Sequence, residues 1–175
     1  MAVSDDDVGA DRAPRFACDA MCGGLVRRLR SYGYDATYTE GIEDGDLVDH
    51  AEAEGRVLIS ADGPLFARRK ITTARVRALR LPRGLQLREQ ITYVVTAMRL
   101  RPREARCARC NGRLRAVTAD DVADRIPARS LIYATEFYLC DGCDRPFWNG
   151  THWHRIIAER ERLGILAERS RVTLY

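Results

Sequence analysis

The residues best spaced for chemistry are four cysteines in two Cys-x-x-Cys pairs, Cys107 with Cys110 and Cys140 with Cys143. Two intervening residues let both sulfurs turn inward on one tight loop and define one edge of a tetrahedron. A second loop of the same kind closes it. Soft thiolates select zinc over hard cations, and rubredoxin-type iron is the nearest competitor. Asn111 and Gly112 follow the first pair and Gly142 lies inside the second. Small residues, or residues that tolerate a left-handed backbone, let amides face sulfur there. A thioredoxin-like redox pair would need one Cys-x-x-Cys at the start of a helix, not two distant ones. The pattern predicts a structural zinc ribbon. It supplies no reaction, because four thiolates leave zinc no open position for water.

Carboxylates offer the chemistry that the cysteines do not. Asp19 follows the apolar run FAC, Asp62 follows LISA, and Asp44 stands in IEDGD between Glu43 and Asp46. In a sheet built from alternating strands and helices, ligands gather beyond the carboxyl ends of the strands. Three carboxylates converging there form a pocket of hard oxygens suited to magnesium or manganese. Asp44 and Asp62 also read as simple helix caps. Asp19 is harder to read that way, since it ends a buried strand and precedes Gly23-Gly24. Cys18 and Cys22 flank Asp19, and Cys18 reads as a small buried strand residue facing away from it. His50 reads as an exposed polar residue. No Ser-His-Asp or Cys-His constellation competes.

The elements that must position these groups follow from apolar spacing. Strands are expected at 15–19, 35–38, 56–60 and 76–81. Helices are expected at 21–31, 44–54 and 86–98, with a helical turn at 65–69 and a last helix at 153–163. Strands alternating with helices imply an α/β fold with a parallel sheet covered on both faces. Residues 99–106 read as a basic linker. Residues 1–14 read as a disordered acidic tail without the apolar stretch of a signal peptide. No apolar run reaches 18 residues, which argues against a membrane span. Metal-type cysteine spacing without an export signal points to a reducing cytoplasm.

Charge is segregated along the chain. Between Gly63 and Arg115 stand fifteen Arg or Lys and two acids, Glu89 and Glu104, a net of +13. The whole chain carries +4, so the remainder carries −9. Segregation of this kind suggests a polyanion partner. Lys70 is the only lysine beside 28 arginines, so arginine content alone is weak evidence. The absence of any acid from Gly63 to Arg88 is stronger. Arg27, Arg28 and Arg30 on the first helix, and Arg68, Arg69 and Lys70 after Asp62, are candidate phosphate contacts. His152, Trp153 and His154 in GTHWH form a candidate stacking platform for bases. The plainer reading packs Trp153 on the ribbon's small core, with Phe147 and Trp148 against the second knuckle.

The succession FACDAMCGGLVRRLRSYGYDA, IEDGDLVDHAEAEGRVLISAD, LREQITYVV, paired Cys-x-x-Cys and FWNGTHW resembles a PIN-like ribonuclease. More narrowly, it resembles the family named for the C-terminal domain of the Mut-seven exonuclease, a PIN-like core followed by a zinc ribbon. The resemblance covers residues 15–158. It implies a PIN-like nuclease domain over 15–102, a zinc ribbon over 103–158, and a C-terminal helix and tail over 159–175. It implies metal-dependent RNA cleavage, with the first acid on Asp19, the second, before Leu47-x-x-x-Ala51, on Asp44, and the third on Asp62. Gly63-Pro64-Leu65 offers no fourth acid, so one and two metals both remain open. The implied activity is a Mg/Mn-dependent endoribonuclease acting on RNA, with tRNA or other structured RNA as partner. Competing readings are a nucleic-acid-binding adaptor with a vestigial site, a metal hydrolase of small substrates, and a toxin nuclease held by an antitoxin.

Overall fold

The structure is a computed structural model and describes residues 13–172. The acidic tail expected over 1–14 lies outside these, apart from Ala13 and Pro14.

Each short apolar run of the first half forms a strand. Phe16–Cys18 (β1), Ala36–Thr37 (β2), Val57–Ser60 (β3) and Ala78–Arg80 (β4) pair in parallel in the order β2-β1-β3-β4. β1 and β3 are buried at every position. Their sequences are therefore continuous apolar runs, as strands covered on both faces require. The covering helices are Gly23–Ser31 (α1), Asp44–Ala53 (α2), the single turn Arg69–Thr72 (α3) and Leu87–Ala97 (α4). One face joins Phe16, Cys18 and Ile59 to Leu25, Val26 and Leu29 of α1 and to Ile91, Val94 and Val95 of α4. The other joins Ala17 and Leu58 to Leu47, Val48 and Ala51 of α2 and to Leu65. Burying each Leu, Ile, Val or Phe among these contributes about 1.5–3 kcal/mol. A capping box starts α4, where the Glu89 carboxylate accepts the Gln86 N–H at 2.7 Å.

The basic linker at 99–106 is tied down rather than free. The Tyr34 hydroxyl donates to the Arg101 carbonyl at 2.8 Å and accepts the Arg101 N–H at 3.0 Å. Arg103 N–H donates to the Tyr32 carbonyl and Arg106 N–H to the Arg30 carbonyl. The linker passes so close to Gly33 that a Cβ there would sit 2.6 Å from the Arg103 backbone, and Gly33 itself holds φ +102°. Only glycine satisfies both demands.

A second sheet follows. Leu114–Val117 (β5), Phe137–Cys140 (β6) and Pro146–Trp148 (β7) are antiparallel in the order β5-β6-β7. Between β5 and β6 the chain forms a 3-10 turn, Asp120–Val122, and a short helix, Ala128–Tyr133 (α5). Val122, Ile126, Phe137 and Leu139 make a small core there, with Trp148 at its margin. The last helix, Thr151–Val172 (α6), is longer than the expected 153–163 and runs through residue 158, where the ribbon was expected to end. It returns to the first sheet, placing Leu163 in the α1–α4 core at 1% exposure. No described helix is long and apolar enough to cross a membrane.

Candidate functional site

The carboxyl ends of β1 and β3 are joined by one serine. Asp19 N–H donates to the Ile59 carbonyl at 3.0 Å, so the ladder continues one residue beyond β1. The chain then turns into α1, closed by Cys22 N–H on the Asp19 carbonyl at 2.8 Å. Ser60, fully buried at the end of β3, donates its hydroxyl to Asp19 Oδ2 at 2.5 Å. The same Oγ accepts the Asp62 N–H at 2.9 Å. A single hydroxyl thus orients one catalytic candidate and the backbone of another. Asp44 is the first residue of α2, and Arg68 Nη2 lies 3.6 Å from Asp44 Oδ2. Glu43 and Asp46 are exposed.

The three aspartates do not close into a cage. Among the described residues, the four cysteines alone bring three or more potential metal-donor atoms within 4.8 Å of one another. Hard oxygens, one hydrogen-bonded by Ser60, still suit a divalent cation that keeps several waters and takes only one or two carboxylates. The adjacent thiols offer no nucleophile. Burial, and secondarily the Asp19 charge, pushes Cys22 up to about 11, and burial likewise raises Cys18.

Two residues of this edge were not singled out from sequence. Ser60 was visible only as the polar end of LIS. Arg80 pairs in register with Ser60 from β4. Its guanidinium lies 5.9 Å from the Phe66 ring centre and would stand 2.9 Å from a Cβ on Gly63. It therefore overhangs the backbone that follows Asp62. Strand register, which has no local sequence signal, brings it there.

The cysteine cluster is closed. Cys107 and Cys143 sulfurs lie 3.7 Å apart, and Cys110 and Cys140 sulfurs 3.3 Å apart. Asn111 and Asp144 hold positive φ just after each pair. Gly112 and Gly142 are small because sulfur occupies the space. A Cβ would meet Cys140 Sγ at 2.8 Å from Gly112 and Cys110 Sγ at 3.1 Å from Gly142. The backbone N–H of Arg145 draws the Cys143 thiol down to about 7, while burial raises Cys107 and Cys140. Four sulfurs at this spacing are compatible with a zinc ribbon.

Arg30 fastens this cluster to the first sheet. It is 6% exposed, and its guanidinium donates to the carbonyls of Ala36, Ala108 and Arg109 at 2.8, 3.0 and 2.8 Å. It belongs to the scaffold and is not available for phosphate, contrary to expectation. Asn111 adds a second tie, donating to Asp35 at 2.8 Å. Burial pushes the Asp35 carboxyl up. Hydrogen bonds from Arg56 and Asn111, together with the Arg56 charge, outweigh that and hold it below the ordinary range.

The other basic candidates differ in availability. Arg27 and Arg69 are exposed and make no ion pair among the described residues. Arg28 pairs with Glu159 of α6 at 2.7 Å, and Arg68 faces Asp44. Lys70 is held by Asp49 and Glu52 at 2.8 and 2.6 Å. Trp153 does not pack on the small core. It stacks on Tyr138, ring centres 6.3 Å apart, while Trp148 takes the core margin. His154 is exposed, and the His152 side chain lies outside the described residues.

Comparison with curated proteins and with solved structures returned no match. Residues 14–159, most of the chain, match a family model described as the Mut7-C RNAse domain. That span takes in the carboxylate edge, the pinned linker, the cysteine cluster and the first part of α6. On that match the chain belongs to the Mut7-C RNase domain family, a nuclease family whose substrate is RNA.

Proposed function

We propose that the protein is a metal-dependent endoribonuclease whose reaction centre is the edge formed by Asp19, Asp44 and Asp62. The observation that carries this reading is the Ser60 hydroxyl joining Asp19 to the Asp62 backbone at 2.5 and 2.9 Å. A buried side chain that aims a carboxylate and anchors the backbone of another is expected where their direction matters. Asp19, Asp44 and Asp62 would hold magnesium or manganese, which when bound supplies an activated water and counter-charge for the scissile phosphate. Ser60 fixes the direction of Asp19. Arg68 and Arg80 add positive charge near Asp44 and beyond Asp62, where a phosphate approaching this edge carries its negative charge. Hydrolysis in line would leave a 5′-phosphate and a 3′-hydroxyl. In this reading the four cysteines hold zinc as a structural ion, and structured RNA such as tRNA is a substrate class to test.

The test is Asp19→Asn, which removes a charge without changing volume. Outer ligands of metal sites lose about 10–100-fold on mutation, and a direct ligand should lose at least the upper figure. Hydrolysis of total cellular RNA, followed by sequencing of cleavage ends with magnesium or manganese supplied, should fall at least about a hundredfold with thermal stability retained. Full activity in this variant would remove Asp19 from the reaction centre.

A further inference from the structure

A groove of about 1030 Å³ separates α1 from the second sheet. It is bounded by Arg27 of α1, Arg129 and Tyr133 of α5, Arg145 after the second knuckle, Trp148 of β7 and Trp153 of α6. Among the described residues, no carboxylate lines it. Arg27, Arg129 and Arg145 make no ion pair among the described residues, unlike Arg28 on the same wall. Tyr133 is 81% exposed, an aromatic ring on a short helix with no core to enter. A neighbouring cavity of about 380 Å³ shares Arg27 and Arg145 and adds Arg109 and Tyr38. The two together make a basic trough that also carries Tyr133, Trp148 and Trp153. Its volume is at the upper limit for small-ligand clefts, about 300–1,000 Å³.

We infer that this groove binds an unpaired segment of RNA, deepening the nuclease reading on which it rests. Aromatic faces accept bases only when these are not stacked in a duplex, whereas paired RNA is held by shape and phosphate contacts. Guanidinium groups without ion pairs beside aromatic rings match a phosphate backbone running beside stacked bases. Gly24, in the first turn of α1, lines the same groove, and the turn into α1 begins at Asp19. A strand in the groove is thereby led toward the carboxylate edge. The RNA path runs along α1 and the ribbon, on the sheet face opposite α2.

The chain's two tryptophans, Trp148 and Trp153, both line the groove, so tryptophan fluorescence, excited selectively over the tyrosines, reports on it. The experiment titrates the full chain carrying Asp19→Asn with an unstructured oligouridylate, with a fully paired RNA duplex of equal length, and with an acidic peptide. Labelled-RNA anisotropy is read in parallel across a salt series. The single strand should quench saturably and the duplex should not at the same concentrations. Replacing Arg27, Arg129 and Arg145 by alanine should flatten the slope of log affinity against log salt by about 2, at about 0.7 per phosphate contact. Tyr133→Ala removes an exposed ring without touching a core and should weaken binding at least about fivefold. Binding without quenching, equal quenching by the duplex, unchanged variants, or quenching by the acidic peptide with no RNA binding would each overturn the inference. The two readings fail separately. Lost hydrolysis in Asp19→Asn with no quenching sinks the groove alone, and quenching with retained hydrolysis sinks the carboxylate centre alone.

Discussion

The four cysteine sulfurs lie within 4.8 Å of one another, whereas no three carboxylates among the described residues do. The cysteine loops are held from all sides. Glycines admit the sulfurs, Arg30 binds the carbonyls of the first knuckle, and Asn111 is tied to Asp35. The carboxylate edge is held at one point, through Ser60, and its three aspartates are half-buried, with Arg68 and Arg80 beside it. On the proposed reading, the difference is that between a site that stabilises and a site that reacts. A structural ion needs every position filled, while a hydrolytic one needs room for water and phosphate. The closed site also has a task for the open one. With the linker and α6, it fixes the second sheet against α1 and so shapes the groove.

The largest expected effect breaks the closed site. Cys140→Ser should abolish retention of one zinc, read by native mass spectrometry. Apparent zinc binding in small ribbons is about 10–16 kcal/mol, comparable to the whole stability of a domain. Hydrogen exchange should lose protection over 107–148 and keep it in β1 and β3, whose cores contain no cysteine ligand. Full protection of 107–148 in metal-free protein would show that the small core holds the ribbon without an ion.

A smaller effect probes the open site. Ser60→Ala leaves all three aspartates but frees Asp19 to rotate and strips the Asp62 N–H of its acceptor. Loss of a buried partner of that kind costs about 1–3 kcal/mol of stability. Activity should fall about 10–100-fold, as for other groups that orient metal ligands. The loss should be partly recovered by raising magnesium, because the ligands remain, whereas Asp19→Asn should not recover. Equal loss in both variants, with no response to metal, would mean that Ser60 matters only to folding.

What the sequence disclosed and what it hid divides along the same line. Cys-x-x-Cys spacing is local, so the cluster could be read directly. Continuous apolar runs exposed β1 and β3, because strands covered on both faces need no alternation. The ends Asp19 and Asp62 were legible for the same reason. Ser60 and Arg80 were not, since their relevance depends on which strands are neighbours. Arg30 looked like any other arginine of α1, and only the packing of the first knuckle against that helix assigns it to the scaffold. Trp148 and Trp153 stand five positions apart, and sequence favoured the wrong one for the small core. The helix α5 was missed altogether: at six residues it is too short for a periodic signal, yet it supplies Arg129 and Tyr133 to the groove.

The smallest predicted effect concerns the basic residues beyond Asp62, which charge segregation had made the leading phosphate contacts. Their three cations are not equivalent. Lys70 is already neutralised by Asp49 and Glu52, and Arg68 lies 3.6 Å from Asp44. Arg69 alone is exposed without an ion pair among the described residues. A cation that must break an existing pair to meet phosphate releases fewer counterions for its charge. Replacing Arg68, Arg69 and Lys70 together by alanine should therefore flatten the salt slope by only about 0.7, one contact's worth, rather than the 2 expected for three free arginines. Cleavage positions should not move, because phosphate contacts set register without reading bases. The measurement is RNA affinity across a salt series in an Asp62→Asn background. A change as large as that from Arg27, Arg129 and Arg145 would move the RNA path to the α3 side of the sheet. No change would mean that Arg69, like the paired Arg68 and Lys70, meets no phosphate.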